Sequence, residues 1–157
     1  MLRWPVAMAV VALAATAHAD TPPTIAKIEA RYFYKETGRL SEDLLGRTPP
    51  IEGWNALIGE GGAEEYTDDI LVTVEITTRG DTSDSSVSYE QPVTITATNC
   101  AGTILASRRF NGGLTSHRGV ERKALWLPDA TCAGEITITA RLGVQRRSAK
   151  LVMGCGE

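Results

Sequence analysis

ILVTVEITT, residues 70–78, decides the fold. Ile70, Val72, Val74 and Ile76 alternate with Leu71, Thr73, Glu75 and Thr77. That is the period of a strand with one face in a core and one in water. Downstream the period returns. VTITATN (93–99) alternates Val93, Ile95 and Ala97 with Thr94, Thr96 and Thr98. ITITARL (136–142) alternates Ile136, Ile138, Ala140 and Leu142 with Thr137, Thr139 and Arg141. Threonine suits the wet face, because its β-branch favours extended backbone. TILASRRF (103–110), VERKALWL (120–127) and RSAKLVMGC (147–155) complete the series. Turn formers separate them: Gly80-Asp81, Asn99 with Gly102, Asn111-Gly112-Gly113, Pro128-Asp129, Cys132-Ala133-Gly134 and Gly143.

Six or seven short strands, with no helical period after residue 66, predict an all-β antiparallel β-sandwich over residues 66–157. The pattern resembles immunoglobulin-like sandwiches in general, without the Cys…Trp…Cys spacing of antibody-type domains. A small barrel is the alternative. That resemblance carries no activity with it. Residues 20–65 read as a short N-terminal extension packed on the sandwich. Within it, IAKIEARYFYK (25–35) fits a helix through Ile25, Ile28 and Tyr32, or a strand through Ile28, Ala30, Tyr32 and Tyr34; the aromatic cluster favours the strand. Residues 41–46 predict one helical turn with Ser41 as cap and Gly46 as stop, ended by Thr48-Pro49-Pro50.

The first 19 residues predict an address. Arg3 precedes an unbroken apolar run at residues 6–15, and Ala17-His18-Ala19 supplies a small-x-small cleavage pattern. The run is shorter than the roughly 20 residues a spanning helix needs. A signal peptide cleaved before Asp20 is therefore expected, with a periplasmic or secreted product and no transmembrane segment in it.

Charge is unevenly spread. Residues 20–157 carry a net −4, which argues against a nucleic-acid partner. Residues 36–90 carry −10 and residues 91–157 carry +5. The simpler arrangement lays the two halves together so that they neutralise one another. The other is a dipolar surface that orients a partner.

GEGGAEEYTDD (59–69) is no phosphate cradle: the Gly-Lys-Ser/Thr ending is absent and Glu64 and Glu65 would repel phosphate. Glu60, Asp68 and Asp69 are weak calcium candidates, without the EF-hand spacing; a solvated loop is the expected state, with no cofactor. Glu64 and Glu65, with Trp54 and Trp126, mark a possible interaction surface. His117 is the one histidine after the leader, and no G-x-S-x-G elbow or C-x-x-C pair accompanies it, so no catalytic constellation is assigned.

Three cysteines remain. Counting by twos from Ile136 and Leu151 puts Cys132 and Cys155 on the inward face, and Cys100 shares the wet parity of Thr94, Thr96 and Thr98. An oxidising compartment then predicts a Cys132–Cys155 disulfide, worth about 3 kcal/mol in the chain-entropy model, with Cys100 free or bridging to another chain; Cys100–Cys132 is the alternative. The functional expectation is an exported, non-catalytic accessory or interaction module of the bacterial envelope, binding a protein partner through a charged surface. A small carboxylate-based hydrolase, with or without calcium, and an inhibitor or immunity-type protein that caps an enzyme are the alternatives.

Overall fold

A computed structural model describes residues 22–47, 51–52, 65, 67, 69–78, 86–116, 119–130 and 133–154. Among these the elements in chain order are β1 (Thr24–Tyr32), β2 (Ile51–Glu52), β3 (Ile70–Thr77), β4 (Val87–Tyr89), β5 (Val93–Asn99), β6 (Ile104–Phe110), β7 (Gly113–Thr115), β8 (Val120–Leu127), β9 (Glu135–Leu142) and β10 (Gln145–Gly154). One sheet has the order β1-β3-β8 and the other β2-β10-β9-β5-β6, while β4 and β7 form a small ribbon. Every pairing is antiparallel except the two-residue contact of β2 with β10. The expected all-β antiparallel sandwich is the observed architecture.

The alternation works as the sequence demands. Ile70, Val72, Val74 and Ile76 of β3 are fully buried, and they share one core with Val93, Ile95, Ile136, Ile138, Leu142 and Leu151 of the other sheet. Chain order and sheet order part company around the site. β5 neighbours β9, and β8, which lies between them in sequence, belongs to the opposite sheet. The register that follows from this pairing builds the site below.

β1 resolves its own ambiguity through a bulge. Its register on β3 shifts between Ile25 and Lys27, so Ile25 pairs with Ile76 and Ile28 with Val74. The extra residue lets both Ile25 and Ile28 face the core, and Ala30 and Tyr32 then follow by twos. A helical spacing at the start of the segment is thus a strand spacing interrupted once.

The helical turn expected at residues 41–46 does not form. Ser41 Oγ accepts the Tyr32 N–H at 2.9 Å, and Asp43 Oδ1 accepts the Ala30 N–H at 3.0 Å. The Ser41 and Leu44 N–H groups bond the carbonyls of Tyr32 and Ala30 in return. β1 is an edge strand with unpaired donors, and this segment satisfies them. The Ser and Asp side chains that suit a helix cap serve a strand edge instead, and Leu44 is buried beside it. β4 and β7, which the sequence did not predict, are three-residue strands tied to β3 by a buried pair, Thr78 Oγ1 to Thr115 Oγ1 at 2.6 Å.

Candidate functional site

The outward face of the five-stranded sheet is ruled in rows, because each strand alternates and the registers align. Arg109 of β6 stands opposite Thr94 of β5, Thr94 opposite Arg141 of β9, and Arg141 opposite Arg146 of β10. The next row is Ser107, Thr96, Thr139 and Ser148. The third continues with Thr98, Thr137 and Lys150. Together with Pro92 and Gly143, the three arginines and five threonines line a shallow basin of about 610 Å³.

The hairpin between β9 and β10 sharpens the row. Leu142 pairs with Gln145 across Gly143 and Val144, and Gly143 takes a positive φ of 55°. Glycine at the first central position is what such a two-residue turn demands. The turn places Arg141 directly across from Arg146. Like charges opposite one another destabilise a sheet. Among the described residues no carboxylate pairs with Arg109, Arg141 or Arg146, and none lines the basin.

Elsewhere charge is matched locally. On the outward face of the three-stranded sheet, Glu29 lies between Lys27 and Arg31, and Arg122 meets Glu75 at 2.5 Å. The hydrogen bond from Lys27, with Arg31 adding to it, holds the Glu29 carboxyl below its usual range. Among ion pairs of described residues, Arg122–Glu75 is the one that joins residues 36–90 to residues 91–157. Among the described residues, an excess of positive charge stays on the outward face of the five-stranded sheet.

Both flanks of the sandwich carry polar side chains at inward positions. Arg147 lies opposite Ala140, and its guanidinium donates to the carbonyls of Ile25 and Ala26. Gln145 donates to the Pro23 carbonyl at 2.8 Å and accepts the Ile25 N–H. On the other flank Arg108 donates to the Ala124 carbonyl at 3.4 Å and stacks over Phe110 at 4.7 Å. There Glu121 accepts from Tyr89 Oη at 2.6 Å and from Lys123 at 2.5 Å. Both of its oxygens are thus engaged, and the Tyr-Glu-Lys cluster closes a seam between sheets rather than presenting a base. Burial, with the Glu121 hydrogen bond, pushes the Tyr89 phenol above its usual range.

Among the residues singled out from sequence, Trp54, Glu60, Glu64, Asp68, His117, Cys132 and Cys155 lie outside the described residues. Glu65 accepts from Thr37 and from Arg39 at 2.5 Å, and the Arg39 bond lowers its carboxyl pKa. Asp69 Oδ1 accepts the Asp129 N–H at 3.2 Å, and Oδ2 lies 3.8 Å from Lys35. That bond supports Asp129, whose φ of 50° is left-handed. Trp126 is exposed beside Phe33 in an edge-to-face contact at 4.9 Å. Cys100 is exposed with a free thiol. Glu65, Asp69, Trp126 and Cys100 do not line the arginine basin. The sequence signal for that basin was the wet-face parity of Arg141 with the threonines of two strands, 93–99 and 136–142; only the register adds Arg109 and Arg146.

No protein-family model and no curated protein matches the chain. Among solved structures it is similar to the β-glucuronidase of Bifidobacterium dentium complexed with coumarin-3-O-glucuronide, at 14% identity and a TM-score of 0.40. The match covers 85% of this chain and 18% of that one. A likeness at this level bears on neither family nor activity.

Proposed function

We propose that the chain is an exported, non-catalytic binding module of the bacterial envelope, which engages an anionic partner through the outward face of its five-stranded sheet. The observation that carries this is the row Arg109, Arg141, Arg146 on a basin that no carboxylate lines among the described residues. Three exposed cations set in register, two of them directly opposed, raise the energy of the free face. An anion relieves that repulsion and gains forked, charge-assisted hydrogen bonds from the guanidinium groups. Export is supported by the charged start, apolar run and Ala-His-Ala pattern of residues 1–19. Of the described residues, none belongs to a helix long and apolar enough to cross a membrane. Of the possible interaction surface read from the sequence, Glu65 is paired with Arg39, and Glu64 and Trp54 lie outside the described residues.

The test is binding of dextran sulfate by the exported protein at several salt concentrations, for the natural chain and for Arg141→Gln/Arg146→Gln. Binding should weaken with salt, since screening at 0.15 M acts over about 8 Å. The double variant should lose about tenfold or more in affinity, with a melting temperature that rises slightly as the opposed charges are removed. Equal binding by the variant would sink the proposal.

A further inference from the structure

The floor between the arginines is more specific than their charge. Building on the anion-binding reading, we infer that the ligand is an anionic polysaccharide laid across the strands, its acid groups held by Arg109, Arg141 and Arg146 and its hydroxyls by the threonine rows. Strands lie about 4.8 Å apart, so Arg141 and Arg146 are one strand spacing apart and Arg109 stands about 10 Å from Arg141. The row therefore presents cation, hydroxyl, cation, cation in order across β6, β5, β9 and β10. A chain of acidic sugars offers the complementary series, acid groups separated by hydroxyls.

The hydroxyls have capacity to spare. Thr139 and Ser148 share one hydrogen bond at 3.0 Å. Two hydroxyls bring two hydrogens and four lone pairs, so this pair keeps one hydrogen and three lone pairs for a ligand. Thr96 and Ser107 form a second pair at 3.0 Å, and Ser107 also reaches the Ile95 carbonyl. Among the described residues the Thr94 and Thr137 hydroxyls have no protein partner. An acidic protein surface fits less well. Protein interfaces concentrate their binding energy in aromatic or aliphatic anchors seated in pockets. Among the described residues the lining holds threonines, arginines, Pro92 and Gly143, with no aromatic and no large aliphatic side chain. A nucleic acid fits less well too: single strands are held by aromatic side chains on which the bases stack, and among the described residues the lining offers none.

The experiment compares four probes by titration calorimetry at one ionic strength: polygalacturonate, neutral dextran, poly-L-glutamate and a single-stranded oligonucleotide. Polygalacturonate should bind about tenfold or more tighter than poly-L-glutamate, and neutral dextran should not bind. Thr94→Val and Thr139→Val keep the β-branch on an outward face, so their melting temperatures should match the natural chain. Each should weaken polygalacturonate about three- to tenfold and leave poly-L-glutamate unaffected, as expected for loss of a hydrogen bond. If poly-L-glutamate or the oligonucleotide binds as well as polygalacturonate, or if the valine variants bind normally, the polysaccharide assignment is wrong. In that case loss of anion binding in Arg141→Gln/Arg146→Gln would leave the underlying anion site standing. If no anion binds the natural chain, both readings fall together.

Discussion

Replacing Tyr32 by Phe should stabilise the domain, and replacing Tyr89 by Phe should do the reverse. Tyr32 is fully buried on β1, and its Oη is a buried polar atom with no hydrogen-bond partner. Burial pushes its phenol pKa above the ordinary range, with Tyr34 adding to the rise and Arg47 opposing it. An unsatisfied buried hydroxyl costs about 1–3 kcal/mol. Removing one oxygen forfeits a few dispersion contacts, each worth about 0.1–0.2 kcal/mol. The balance favours Tyr32→Phe by about 1–2 kcal/mol, or roughly 3–8 °C in melting temperature for a domain of this size. The Tyr89 hydroxyl, by contrast, donates to Glu121 Oε2 at 2.6 Å. A bond to a charged acceptor is worth about 1.5–3 kcal/mol, so Tyr89→Phe should lower stability by that order. The assay is chemical denaturation followed by circular dichroism, with the denaturant slope unchanged in both variants. A Tyr32→Phe protein destabilised by about 1 kcal/mol or more would show that this hydroxyl is bonded, and the reasoning would be refuted.

Other outcomes follow from neighbouring features. A Cβ on Gly113 would collide with Glu121 Oε2 and lie 2.6 Å from Tyr89 Cζ; Gly113→Ala should therefore cost about 1–3 kcal/mol in denaturation, and a neutral result would mean the Tyr89–Glu121 seam is loose. Because Glu29 is lowered from 4.5, its contribution to stability is present above that pH and lost as pH falls through the folded value; Glu29→Gln should flatten the acid limb of the stability–pH curve. Tyr89 is raised from 10.0, so its contribution is present below about pH 10 and lost as pH climbs toward the folded value; Tyr89→Phe should remove part of the alkaline slope. Non-reducing peptide mapping should return Cys132 joined to Cys155, with Cys100 as a free thiol. A crosslinked peptide carrying Cys100 and Cys132 would overturn that pairing.

How much was legible depended on whether one strand or several carried the signal. β3, β5 and β9 each announce themselves, because a buried face writes a period of two into a single segment. The segment 41–46 misled, since Ser41 and Asp43 offer the same oxygen acceptors to a helix start and to an open strand edge. Only the presence of β1 as an edge decides between them. β4 and β7 are too short for a period. The arginine row was hidden for a different reason. Arg109, Arg141 and Arg146 become neighbours only once β5 lies between β6 and β9, a choice made by the whole core and by no local stretch. Arg108 and Arg147 occupy inward parity, where sequence alone predicts an apolar residue; the sheet edges leave their head groups room to reach carbonyls of the other sheet.

Those two arginines have a consequence for how the domain could change its partners. Inward-pointing charges blunt the edges of a sheet against addition of a further strand. Recognition through an edge would be written in backbone amides, which are the same in every protein and cannot be edited. With Arg108 and Arg147 guarding the flanks, the broad outward sheet face remains for recognition, and there the alphabet is the side chain. Each outward position of β5, β6, β9 and β10 can be exchanged without disturbing the alternate residue that holds the core. The module is thus built as a fixed plate with replaceable type, in which affinity for a new ligand needs a few outward substitutions and no new fold.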